Sequence, residues 1–276
     1  MDLSCLKDWR GCAVSVVGSG HLRHETPLQD ASAAILAPRP AAVVCDGAGS
    51  AKHSHDGANA AVRAFRIAVA AMDPFLRDCL DDPRIPGAFA ESLWHYAAGW
   101  ICRALVAARD EAARTGSGDP GDYLFTFAAA VVGQRRTGFV QVGDGAIAVR
   151  RAAGPCELVF APEKGAFCNV TRFLTEKVVE EDAFQTSLAW TPDVAGVMVM
   201  SDGPEIAMVD LAANRPAPIV PQMLADFAQG KFDRGDLLGY LVSPRRWGGD
   251  PRGGDDKSVA LLAPMPAVRQ AKGGAR

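Results

Sequence analysis

The sequence predicts an α+β protein in which antiparallel sheets carry helices on their outer faces. Three observations predict it. Short apolar runs of strand length open the chain, two long helical segments follow one another directly, and the second half returns to short apolar runs separated by tight turns. The regular strand–helix alternation of a doubly wound parallel fold is missing. With 276 residues, 49% of them hydrophobic and 22% charged, the chain can bury a sizeable core as one large domain or a domain with an insertion.

The strand candidates are residues 12–17, 41–45, 125–132, 139–142, 146–149, 194–200 and 258–262, most of them ending in Gly, Asp or Pro. In residues 57–72, Asn59, Arg63 and Arg66 share one narrow polar stripe while alanines and valines cover the rest, which predicts a mostly buried helix. Residues 87–113 place Phe89, Leu93, Ala97, Trp100, Ala104, Leu105 and Ala108 at intervals of three and four, a stripe expected to cover a sheet. The turn formers of residues 115–122 stop that helix. Weaker helical stretches are expected at 220–229 and 234–241, and residues 264–276 read as a disordered tail behind a domain spanning 1–263.

Charge and cysteine usage narrow the function. Twenty-nine Lys plus Arg against 32 Asp plus Glu give a net charge of -3, without the basic excess that nucleic-acid binding draws on. The seven cysteines lie far apart and never form Cys-x-x-Cys, so reduced thiols are expected rather than disulfides or structural zinc. Asp2, Lys7, Asp8 and Arg10 interrupt what a signal peptide would need, and no apolar run reaches the ~20 residues of a membrane span. A cytoplasmic, monomeric protein without membrane or nucleic-acid partners is the expectation.

The informative pattern is an acid placed repeatedly at the end of an apolar strand. Val43-Val44-Cys45-Asp46-Gly47-Ala48-Gly49 is the first copy, Val140-Gln141-Val142-Gly143-Asp144-Gly145 the second and Met198-Val199-Met200-Ser201-Asp202-Gly203 the third. A fourth cluster, Gly253-Gly254-Asp255-Asp256, precedes the last strand. Carboxylates at a sheet rim are rigidly placed, and several converging would repel one another unless a cation sat among them. Oxygen-only ligands suit Mg²⁺ or Mn²⁺ better than zinc. Asp144-Gly145 fits a plain hairpin turn between its flanking strands equally well.

These four blocks, in this order, resemble the metal-dependent protein phosphatase family of the type 2C kind, in a divergent bacterial branch, over residues 12–263. The resemblance implies a four-layer α/β/β/α sandwich with a two-metal site at one edge, holding Mn²⁺ or Mg²⁺ with a weaker third ion. It implies that Asp46 bridges both metals with the Gly47 carbonyl as a further ligand, that Asp202 and Asp255 hold the second metal, and that Asp144 helps the third. Asp30, in Pro27-Leu28-Gln29-Asp30, matches an acid of the family's opening Glu-Asp pair. The implied activity is hydrolysis of phosphoserine and phosphothreonine by a metal-activated water, with Asp46 and Asp202 central to catalysis.

Three positions depart from the family pattern. The His that follows its first Asp-Gly is Ala48, the Glu of the opening pair is Gln29, and its phosphate-binding Arg falls on Glu25. Arg23, His24 and His21 stand nearby, and Arg23 is the expected replacement. The departures motivate a rival reading, a phosphatase-like domain that binds a phosphorylated partner without hydrolysing it. A second rival, a zinc hydrolase, rests on His53-Ser54-His55-Asp56 and would require tight zinc. Arg151, Arg245, Arg246 and Arg252 lie near the motif loops and suit an acidic or multiply phosphorylated partner such as a Ser/Thr kinase activation segment, although solvated charge explains them equally; Trp247 is expected at a cleft edge.

Overall fold

The computed structural model describes residues 8–161, 171–243, 247 and 254–266. Ten strands form two five-stranded antiparallel sheets. The first runs β1 (Trp9–Val16), β12 (Lys257–Pro264), β9 (Val194–Met200), β6 (Ala146–Arg151) and β7 (Cys156–Leu158). The second runs β2 (Ala31–Ile35), β3 (Ala41–Cys45), β4 (Phe127–Val132), β5 (Arg136–Val142) and β8 (Gln185–Trp190). A two-stranded ribbon, β10 (Val209–Asp210) with β11 (Arg215–Pro216), lies apart. The helices are α1 (Ser19–Arg23), α2 (Ser54–Ala71), α3 (Asp73–Asp81), α4 (Gly87–Thr115), α5 (Glu176–Glu180), α6 (Glu205–Met208), α7 (Ile219–Ala228) and α8 (Arg234–Leu241).

Side-chain alternation along the strands builds three apolar layers. On β3, Ala41, Val43 and Cys45 face α2 and α4, whereas Ala42 and Val44 face the other sheet. On β9, Met198 and Met200 face α7 and α8, whereas Val197 and Val199 meet the second sheet. Strands covered on both faces have no polar side to show, which is why they read as unbroken apolar runs. The order of layers is helix, sheet, sheet, helix, as expected.

Several details differ from the sequence reading, each for a physical reason. In the two large sheets the strands that were not anticipated, β2, β7 and β8, are all edges, short or rich in Ala, Ser, Thr and Gln, with little β-propensity or contrast to reveal them. The predicted hairpin around Asp144-Gly145 does not form: β5 and β6 belong to different sheets, so this turn crosses from one to the other. The buried stripe of α4 is rotated from the predicted one. Ala90, Trp94, Ala97, Ala98, Ile101, Cys102 and Leu105 are buried, and Phe89 and Trp100 are 53% and 49% exposed. Trp94 wins the sheet face by lying flat under Gly138, where a Cβ would come within 2.5 Å of its ring, and by donating Nε1–H to the Phe139 carbonyl at 2.9 Å.

Trp247 is not at a cleft edge. It is buried against Tyr240 and donates Nε1–H to the Tyr240 carbonyl at 3.0 Å. Pro264, expected in the tail, pairs with Trp9 in β12, and Met265 N–H donates to the Asp8 carbonyl; residues 267–276 lie outside the described residues, as do Cys5, Cys168, Arg245, Arg246 and Arg252. Cys12, Cys45, Cys79, Cys102 and Cys156 are free thiols, and burial pushes the thiols of Cys79 and Cys102 up to about 12. No helix among the described residues is long and apolar enough to cross a membrane.

Candidate metal centre

Strand register carries the acids to one end of the sandwich. Ala31 pairs with Cys45, Val142 with Phe127, and Met200 with both Ala146 and Val259. The ends of β3, β5 and β9 and the starts of β2, β6 and β12 therefore share an edge. Asp30, Asp46, Asp144, Asp202 and Asp255 are the residues placed at these ends. The glycines that follow two of them permit the crowding. A Cβ on Gly47 would come within 2.7 Å of the Gln29 carbonyl oxygen, and one on Gly203 within 1.9 Å of the Asp256 carbonyl oxygen.

Asp46, Asp144 and Asp202 each present a carboxylate oxygen within 4.8 Å of the others. Among the described residues this is the group of His, Cys, Asp or Glu side chains close enough to share an ion. Asp30 lies behind it, 3% exposed, and accepts a 2.7 Å hydrogen bond from Ser201 Oγ. Asp255 stays outside the three but close enough to raise the pKa of Asp202. Asp144 also accepts a 2.7 Å bond from Thr171 Oγ1.

The electrostatics are those of crowded acids, with Lys257 the cation that faces Asp30, Asp255 and Asp256. Burial, opposed by the Ser201 hydroxyl, carries Asp30 from 3.8 up to about 7. Burial, with Asp144 and Asp255 nearby, carries Asp202 up to about 6. Asp46 is pushed well above the carboxylate range by burial and by Asp30 and Asp202. The carboxyls of Asp30 and Asp202 lie close enough to Asp46 to hold its pKa up, and a proton or a cation among the three relieves the repulsion. Hard oxygen donors whose mutual repulsion is relieved by positive charge fit a divalent cation of the Mg²⁺ or Mn²⁺ type.

These shifts set a pH dependence of stability. A carboxyl whose folded pKa lies above its unfolded value stabilises the fold below the unfolded value and loses that contribution as pH rises through the folded one. In chelator, the protein should therefore lose stability as pH rises from about 4 through the folded values of about 6 and about 7 for Asp202 and Asp30. We expect the melting temperature in chelator to fall by about 5 °C or more between pH 5 and pH 8, and Mn²⁺ at pH 8 to reverse the fall. Differential scanning calorimetry checks both.

The remaining candidates are placed less centrally. Arg23 is exposed on α1, donates Nε–H to the Ser19 carbonyl at 3.1 Å and makes no ion pair with a described residue; a Cβ on Gly254 would lie 3.8 Å from its Nη2. Ala48 is buried. His53 stacks on Tyr123 and His55 stands beside Asp56, so neither joins the three carboxylates. Arg151 is tied to Glu157.

Asp256 is the residue that sequence reasoning passed over. It is 2% exposed and accepts from Gly18 N–H at 2.7 Å and Gln29 N–H at 2.6 Å, so it ties the last strand to the segments before and after α1. The Asp255-Asp256 doublet was visible, but nothing in it tells which acid turns inward.

Comparison with known proteins agrees with this architecture. The family model for protein phosphatase 2C matches residues 17–230. Serine/threonine-protein phosphatase 3 of Escherichia coli is 26% identical over 275 residues, covering 92% of this chain and 97% of that protein. The fold is shared with the serine/threonine phosphatase Stp1 of Staphylococcus aureus, at TM-score 0.59 and 14% identity over 92% of this chain and 94% of that one. It is shared too with the catalytic domain of the phosphatase PstP, solved with two manganese ions, at TM-score 0.56 and 17% identity over 94% and 99%. With a family model spanning most of its length and the sandwich to match, the chain belongs to the protein phosphatase 2C family and with it to the phosphoprotein phosphatases.

Proposed function

We propose that the chain hydrolyses phosphoserine and phosphothreonine in proteins in a reaction that depends on Mn²⁺ or Mg²⁺. The observation that carries this reading is the convergence of Asp46, Asp144 and Asp202 within 4.8 Å at the sandwich edge. When bound there, divalent cations supply Lewis acidity that activates water and neutralises phosphate charge.

The chain's own groups divide the remaining work. Asp46, Asp144 and Asp202 hold the cations, with the Gly47 carbonyl beside Asp46 and Asp255 adding charge from the rim. Asp30, buried and bonded to Ser201, stands behind Asp46 and adds its charge to the pull on the cations. Arg23, free of a carboxylate partner among the described residues, meets the phosphate oxygens. A phosphorylated protein, a Ser/Thr kinase among the candidates, is the proposed substrate class, and the chain is proposed to act on it as a monomer in the cytoplasm.

Release of phosphate from a phosphothreonine peptide tests the reading. We expect turnover with Mn²⁺ or Mg²⁺ and none in chelator; turnover that survives complete chelation would overturn it. Arg23→Ala should raise KM for the peptide about 10-fold with a smaller change in kcat, as measured by steady-state kinetics.

A further inference from the structure

The alkoxide of serine or threonine is a poor leaving group, so hydrolysis of its phosphate ester gains from a proton delivered to the departing oxygen. Histidine is the side chain that most often delivers one near neutral pH, and the chain has five histidines. Four of them are placed elsewhere. His53 stacks on Tyr123 with 5.2 Å between ring centroids, and His55 Nε2 lies 3.4 Å from Asp56. Tyr123 and Asp56 line a groove between α2 and α4, on the outer helical layer. His95, on α4, stacks on Phe184 and bonds Thr186 at the edge strand β8. His24 lies exposed beyond the end of α1.

His21 is different. Its Nδ1 is buried 2.9 Å from Asp256 Oδ1, an ion-pair contact that lies off the line of a hydrogen bond, and has no hydrogen-bond partner, while the side chain as a whole is 21% exposed. Asp256 adjoins Asp255, and its Oδ2 holds the Gln29 N–H immediately before Asp30. The backbone of α1 is pressed onto the same turn: a Cβ on Gly18 would come within 2.2 Å of the Gly254 carbonyl oxygen, and one on Gly20 within 2.8 Å. One buried carboxylate thus fixes the imidazole, the turn carrying Asp255 and the segment carrying Asp30 to one another. A carboxylate at Nδ1 sets the orientation of the ring and leaves Nε2 for transfer.

We propose that His21 is the catalytic proton donor to the leaving serine or threonine oxygen and that Asp256 is its positioning residue. The proposal rests on the hydrolytic reading above. In the step, the oxygen of a water molecule forms a bond to phosphorus and the bond from phosphorus to the side-chain oxygen breaks. The electron pair of that bond stays on the departing oxygen, which takes the Nε2 proton of His21. The attacking water loses its proton to solvent, and solvent returns one to the imidazole.

The test compares two substrates in Mn²⁺: a phosphothreonine peptide, whose leaving group needs a proton, and p-nitrophenyl phosphate, whose nitrophenolate does not. His21→Gln should lower kcat on the peptide about 100-fold, and that loss should exceed the loss on the nitrophenyl ester by at least about 30-fold. Asp256→Asn should show the same bias more weakly. Turnover of the nitrophenyl ester by each variant doubles as the check that its site is folded. Equal losses on both substrates would overturn the role of His21 while leaving the phosphatase reading intact; a wild-type protein inactive on both would overturn both.

A second readout does not depend on turnover. Proton NMR of the metal-free protein should show a slowly exchanging imidazole N–H assigned to His21 Nδ1. It should vanish in His21→Gln and shift in Asp256→Asn, and its absence from the wild type would contradict the pairing.

Discussion

Replacing Asp46 by asparagine should lower Mn²⁺-dependent turnover of a phosphothreonine peptide by about 10³-fold or more and at the same time raise the melting temperature of the metal-free protein at pH 8. Both effects come from one fact: Asp46 is half-buried between Asp30 and Asp202, and its charge is unfavourable there without a cation. An amide of the same shape removes the repulsion and keeps hydrogen-bonding capacity, so the fold gains. The same amide is a poor ligand for a hard cation, so the reaction loses. Opposite changes in stability and activity are the signature of a site strained for function. A variant that loses both together would point to a structural acid instead. Phosphate release and calorimetry in chelator read the two quantities.

Removing the guanidinium of Arg39 should produce the largest loss of stability. Arg39 is 1% exposed, donates Nε–H to Asp73 Oδ1 at 2.8 Å, pairs with Asp81 Oδ2 at 3.3 Å and reaches the Val132 carbonyl at 3.3 Å. It joins both ends of α3 to the end of the second sheet opposite the metal centre. Arg39→Ala leaves two buried carboxylates without their shared partner and should cost about 3–5 kcal/mol. Adding Asp81→Asn should recover part of that loss, because Asp81 is then no longer a buried charge without its cation, whereas Asp73 keeps its pair with Arg77. Urea denaturation of the three proteins measures this, and a loss under about 1 kcal/mol for Arg39→Ala would show that water reaches these acids after the substitution.

How much of this was legible in the sequence depends on burial. The central strands β3, β4, β9 and β12 were visible because both faces are covered and the residues are uniformly apolar. The edge strands β2, β7 and β8 were not, since they are short or rich in small and polar residues. The acids of the site were legible for the same reason as the central strands: Asp46 and Asp202 interrupt apolar runs abruptly, and a charge at that point is conspicuous. Asp144 was ambiguous because Asp-Gly suits a hairpin, and only the partition of β5 and β6 into different sheets removes that reading. The face of α4 was misjudged because Trp100 and Trp94 are equally apolar. The sequence does not contain the flat space beneath Gly138 that selects Trp94. The pairing of His21 with Asp256 joins residues at opposite ends of the chain, and no local pattern announces it.

The central claim is that Asp46, Asp144 and Asp202 together bind divalent cations, and that Asp46 and Asp202 give up protons when they do. Calorimetric titration of the metal-free protein with Mn²⁺ near neutral pH, repeated in buffers of different ionisation enthalpy, tests it directly. The account predicts Mn²⁺ binding accompanied by net proton release from the raised carboxyls, with both diminished in Asp46→Asn. Mn²⁺ binding that releases no protons, or that is unchanged in Asp46→Asn, would contradict it.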